Sequence, residues 1–156
     1  MSFIASAPVP DPTTAAPIEN DGFWPDVDLG AAREAMRLDG TVTEPRLRHA
    51  LIAAIVEVGR DVSGWKAARV AEGYATAADV AGAKVDGKSV AEQCYLRAVY
   101  CYAKADLIER MADFDLTATG QKKTEWLDIT PDEQRRNASW AISALLGRAR
   151  VTVELI

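Results

Sequence analysis

SVAEQCYLRAVYCYAKADLIERMAD, residues Ser89 to Asp113, is the stretch around which the rest of the chain must pack. Ser89 and Glu92 stand at the S-x-x-E spacing of a capping box, in which each side chain satisfies the other residue's orphan backbone N–H. Behind that start, Ala91, Cys94, Ala98, Cys101, Ala105, Ile108 and Ala112 recur at steps of three and four. That period places them on one stripe of a single helix. The stripe is made of small residues, so a partner helix can come close. Tyr95, Val99 and Tyr102 widen the apolar surface, while Arg97, Lys104, Glu109 and Arg110 stay near its edges. A surface this wide predicts a helix buried by neighbours on more than one side.

Working outward, the whole chain sets bounds. It has 156 residues, 49% of them hydrophobic, which is enough for one domain with its own core. No apolar run approaches the roughly 18 residues of a membrane span. A net charge of −5 argues against a protein held to DNA by a basic surface and fits one that nucleic acid does not stick to. Cys94 and Cys101 lie seven apart on the central helix, about 10 Å of rise, too far to bridge each other. They read as small buried thiols in a reducing compartment.

Upstream, residues 1–22 carry Pro8, Pro10, Pro12 and Pro17 and little charge before Glu19, with neither the basic nor the apolar region of a secretory signal. They read as a flexible arm. Phe23-Trp24-Pro25 ends it with two aromatics that should dock rather than sit in water. Asp26 or Asp28 can cap a helix over 28–38, stopped at Asp39-Gly40. Pro45, tolerated only in a first turn, fixes the start of a long helix over 43–72. Its apolar positions are Leu47, Leu51, Ile55, Val58, Val62 and Trp65, and Gly59 and Gly64 predict tight packing or a bend. Tyr74–Lys88 is a connector with a turn near Thr76–Val80 and a tight turn at Asp86-Gly87.

Downstream, Leu116–Lys123 is a polar loop. Thr130-Pro131-Asp132-Glu133 combines an N-cap, proline at the first position and glutamate at the third, and opens a helix over 130–146. Ala138, Ala141, Ile142 and Leu145 share one face of it, and Gly147 ends it. The remainder, Arg150 to Ile156, alternates strictly, the period of a strand. No second strand is evident elsewhere, so this segment must pair with another chain or lie as an irregular tail, and pairing with another chain is the expectation. The fold class is mainly α: four helices, a flexible N-terminal arm and a short C-terminal β-type arm.

Site chemistry is scarce. There is no glycine-rich phosphate loop, no cysteine–histidine metal spacing and no histidine near a nucleophile, and His49 lies off its helix's apolar stripe. No metal or cofactor is expected. Arg33, Arg37, Arg46 and Arg48 form a local basic cluster that suits either a phosphate backbone or an interface. A small helical DNA-binding regulator is therefore the alternative function, with an enzyme the weaker third.

Several strings, taken in order, resemble one family. They are Phe23-Trp24-Pro25-Asp26-Val27-Asp28, Met36-Arg37-Leu38, Thr41-Val42, Arg46-Leu47-Arg48, Ala71-Glu72-Gly73-Tyr74, Ala78-Asp79-Val80 and Asp86-Gly87. Downstream come Arg97-Ala98-Val99, Glu109-Arg110, Gly120 with Lys122-Lys123, Trp140-Ala141 and Gly147-Arg148. From Phe23 to Ile156 the chain resembles the L-type (GPL) head completion proteins, head–tail connectors of contractile-tailed temperate bacteriophages. The resemblance implies a non-enzymatic adaptor in the virion neck, assembled in the host cytoplasm as a ring of copies beneath the portal protein after DNA packaging. It would prepare the head for a tail by way of a further neck or tail-completion protein. DNA would pass through the ring without specific binding, and no membrane is involved. Residues 23–147 would be the adaptor domain and 148–156 an interaction arm. The expected contacts to subunit or portal are Phe23, Trp24, Arg148, Arg150, Val151, Val153, Leu155 and Ile156.

Overall fold

Asp28 starts the first helix: its Oδ1 accepts the Ala31 N–H at 2.6 Å, and α1 (Leu29–Met36) runs on from it. In the computed structural model, which describes residues 15–115 and 130–149, α1 stops short of the expected Asp39-Gly40. Arg37 takes the left-handed conformation instead (φ 54°, ψ 45°), with its N–H on the carbonyls of Arg33 and Glu34. The cause lies in Arg33. Its guanidinium reaches past the helix end to the carbonyls of Asp39 and Val42, 2.8 Å each, and holds the turn closed.

α2 (Glu44–Asp61) begins behind Thr43 with Pro45 in its first turn, as a residue without an N–H requires. The single helix expected over 43–72 is broken at Val62 (φ −100°, ψ 6°), and α3 (Ser63–Ala71) resumes beyond it. Val62 is fully buried, which anchors the break. Its N–H still bonds Val58 and its carbonyl still accepts from Lys66, so the interruption is one residue wide. Gly59 and Gly64 bracket it with open space where a Cβ would sit. They supply backbone freedom for a bend; the tight packing foreseen there is absent.

The connector contains a hairpin that the sequence pattern did not reveal. β1 (Lys84–Val85) pairs antiparallel with β2 (Lys88–Ser89) through the expected turn at Asp86-Gly87. Both turn residues have positive φ, 51° and 74°, the geometry of a two-residue hairpin loop. The hairpin feeds directly into α4 (Val90–Asp115). There the predicted capping box is present: the Glu92 N–H donates to Ser89 Oγ at 3.2 Å and the Ser89 N–H to Glu92 Oε2 at 2.8 Å. Ser89 Oγ also donates to the Ala77 carbonyl at 2.8 Å, tying the connector to the helix start.

α4 packs on α5 (Pro131–Leu145), on α2 and on α1, so the expected burial on several sides is found. Ala98, Ala105 and Ile108 of the small-residue stripe are buried; Ala91 and the free thiols Cys94 and Cys101 are half-buried. Tyr95, Val99 and Ala103, off that stripe, have no exposure at all. α5 opens on the predicted box between Thr130 and Glu133 and buries Ala138, Ala141, Ile142 and Leu145. It closes at Gly147 (φ 67°), with the Arg148 N–H on the Ser143 carbonyl at 2.8 Å. An ion pair from Arg135 to Glu109 joins α5 to α4 across the surface.

Among the described residues five helices thus stand where four are predicted, in a mainly α fold. Ordered packing also reaches further upstream than Phe23. Ile18 is buried and exchanges both backbone hydrogen bonds with Val27, at 2.8 and 2.9 Å. Arg48 clamps the Ala16 carbonyl at 2.8 Å. Residues 15–22, expected within the arm, therefore belong to the packed body. The rest of that arm (1–14), residues 116–129 with the polar loop expected at 116–123, and the alternating segment 150–156 lie outside the described residues.

Candidate functional site

The aromatic pair Phe23-Trp24 is seated by the residues just before it. Asp21 Oδ1 accepts the N–H groups of Phe23 and Trp24 at 3.0 and 3.1 Å, an Asx turn that swings both rings inward. Trp24 then stacks on Tyr95 of α4 (centroids 4.3 Å apart, planes 4° apart) and on Trp65 of α3 (5.6 Å, 21°). Phe23 meets Trp24 edge-on at 5.1 Å. Asn20 Nδ2 donates to the Tyr95 hydroxyl and to the Pro25 carbonyl, 3.1 Å each. On the outside, Lys66 Nζ donates to Asp21 Oδ2 at 2.6 Å. Burial pushes the Asp21 carboxyl up, but the Lys66 ammonium and the two backbone N–H groups outweigh it and hold it below 3.8.

Phe23 and Trp24, expected at an intermolecular contact, are only 4% and 3% exposed. Their rings are used inside the chain, where they weld residues 20–24 to α3 and α4. Asp21, Asn20, Trp65, Lys66 and Tyr95 are the parts of this clasp that sequence reasoning did not bring together. An Asp two residues before an aromatic pair is the signal that was available.

Beside the clasp, the outer faces of α2 and α3 form an open groove whose walls include Val56, Ala67 and Val70. Val56 is 66% exposed and Val70 50%, and Ile52 one turn earlier is 44%. These are the large aliphatic side chains of α2 and α3 left in water.

Two of the four clustered arginines are used within the chain. Arg33 and Arg48 bond backbone carbonyls of their own chain, so they brace loops where phosphate ligands were the alternative. Burial pushes the Cys94 and Cys101 thiols up, away from the thiolate that reactivity requires. Among the described residues no His, Cys, Asp and Glu side chains group as metal ligands, and no helix is long and apolar enough to cross a membrane. Arg148 is exposed just past α5. The remaining expected contacts, Arg150, Val151, Val153, Leu155 and Ile156, lie outside the described residues.

The described residues form a mainly helical body with an aromatic clasp and exposed aliphatic side chains on α2 and α3. The family of phage head completion proteins (GPL) matches residues 18–156, and the chain belongs to that family. It is 36% identical over 149 residues to the head completion/stabilization protein of Escherichia phage P2, covering 95% of this chain and 88% of that one. It is also 27% identical over 146 residues to a probable head completion/stabilization protein of Haemophilus phage HP1, covering 89% and 91%. No solved structure matches. These are structural proteins of the phage head, not enzymes.

Proposed function

We propose that this head completion protein is a head–tail connector subunit, which assembles as a ring beneath the portal once DNA is packaged and prepares the filled head for a tail. The observation that carries the reading is the family match, which spans nearly the whole chain, the alternating segment at its end included. A ring needs two different, complementary surfaces on each subunit. The exposed strip of Ile52, Val56 and Val70 supplies a candidate for one of them. The segment Arg148–Ile156 is the second, an arm that adds to a neighbouring subunit or to the portal by main-chain pairing. A balance of −5 suits a channel that DNA must traverse without adhering. The next neck or tail-completion protein would dock on the completed ring.

Purifying the protein together with its portal and imaging the complex tests the reading. A ring of copies on the portal's outer end is the expected result. A protein that stays monomeric beside the portal, or that coats the head shell instead, would remove the connector role and leave head stabilisation alone.

A further inference from the structure

None of the nine residues of α3 is buried. A helix that short is marginal in water and is ordinarily held by packing along its apolar face. Trp65 and Lys66 hold α3 to the clasp, by the stack on Trp24 and the ion pair with Asp21. The rest of it, Ala67, Val70 and Ala71, opens onto a groove of about 790 Å³ shared with Val56 of α2. Ile52 stands one turn before Val56, so three of the five large hydrophobic side chains exposed among the described residues lie in or beside this groove.

The course of the chain beside the groove selects its occupant. Asn20 and Asp21 stand on the groove's lining. Followed towards the N-terminus, the chain runs from there along α2 to that helix's own N-terminal end. Arg48 holds the carbonyls of Ala16 and Pro17, at 2.8 and 3.4 Å, and Ala15 lies by Thr43 and Leu47. Leu47 is nine residues from Val56, about 14 Å along the helix. At Ala15 the chain is thus heading away from the groove, with residues 1–14 still to come. Fourteen extended residues span at most about 50 Å, enough to reach a neighbouring copy. Their only charge is Asp11, and they carry Phe3, Ile4 and Val9 with prolines at 8, 10 and 12. Proline favours an extended course over doubling back, and it has no N–H to satisfy. A segment of that kind suits a helical groove, which offers no free backbone partners. Residues 150–156 hold no proline, so each of them brings an N–H that a sheet edge would serve better.

We infer that the groove between α2 and α3 receives residues 1–14 of a second copy of this chain, with Phe3 and Ile4 as the apolar anchors against Val56 and Val70. The contact is head to tail, one copy's arm in the next copy's groove, and such a contact closes into a ring or continues as a filament. It concerns how copies join and needs no portal, so it stands or falls apart from the connector reading.

Sedimentation of the full-length protein over a range of concentrations tests it. The wild type should self-associate. Val56→Asp spoils the groove at a site 66% exposed, and Phe3→Asp with Ile4→Asp spoils the arm. Each variant should keep the wild-type helicity and melt, and should weaken self-association at least tenfold. Mixed together, the two should form a dimer of one each, because the first keeps a sound arm and the second a sound groove. Association that survives the arm variant but not Val56→Asp means that two α2–α3 faces meet, and overturns the exchange. So does a mixture that gives no dimer. A wild type that stays monomeric also overturns it, and amide shifts at Val56 and Val70 in the arm variant would then place the segment on its own groove. A Val56→Asp chain that still forms a ring on the portal removes the exchange and leaves the connector standing. A wild type that exchanges arms but never joins a portal does the reverse.

Discussion

At the residue scale, single side chains close the junctions between elements. Asp21 serves two backbone N–H groups and Lys66 at once. Its pKa is held below 3.8, so the stability it contributes is fully present above that value and is lost as pH falls through the folded-state pKa. Asp21→Asn should therefore destabilise at pH 7, by roughly 0.5–1.5 kcal/mol for an exposed site of this kind, and match the wild type in strong acid. Urea melts of both proteins at the two pH values check this. Lys104 has the opposite sign: its lowered pKa means that charging it opposes folding at every pH below that value. Lys104→Met should keep or raise the melting temperature of the isolated protein. A marked fall would mean that the ammonium has a counter-charge in the monomer.

At the element scale, α4 decides the fold, and the sequence showed it because cap, period and apolar width agree along its whole length. Ser89→Ala should cost about 1 kcal/mol for the lost cap, and more because the buried Ala77 carbonyl loses its donor. Ala98 has no exposure, so Ala98→Trp should overpack the interior and destabilise by roughly 1–3 kcal/mol in the same melts. Less was legible where tertiary contacts overrule local rules. Glycines at 59 and 64 signal a bend without saying that Val62, between them, is the residue that leaves the helix. Arg37 holds a left-handed position better suited to glycine because Arg33 closes the loop behind it, a contact no periodicity contains. Of the candidate site, the sequence identified Phe23 and Trp24 as docked aromatics. Their target, Tyr95, lies about seventy positions away along the chain and could only be found in the fold.

At the scale of the whole molecule, the division of labour is between a body that holds itself together and surfaces that offer contacts. Tyr95 and its aromatic neighbours fix one side of α4, and the aliphatic strip lies out on α2 and α3. As the strand we propose, residues 150–156 would set Val151, Val153 and Leu155 on one face and Arg150, Thr152 and Glu154 on the other. Burying those three apolar side chains against a partner could contribute on the order of 1.5–3 kcal/mol each before the cost of ordering them. α5 meanwhile closes its own C-terminus at Gly147 and Arg148, so its capping is independent of residues 149–156. Deleting residues 149–156 should accordingly give a protein with undiminished helicity and a cooperative melt within about 1 kcal/mol of the full chain. The same truncation should fail to enter a portal ring and fail to complete heads when it replaces the full chain during infection. If the shortened protein unfolds, the segment is part of the monomer's own core. If it completes heads normally, the arm has no role in assembly and the exposed strip on α2 and α3 becomes the first surface to mutate.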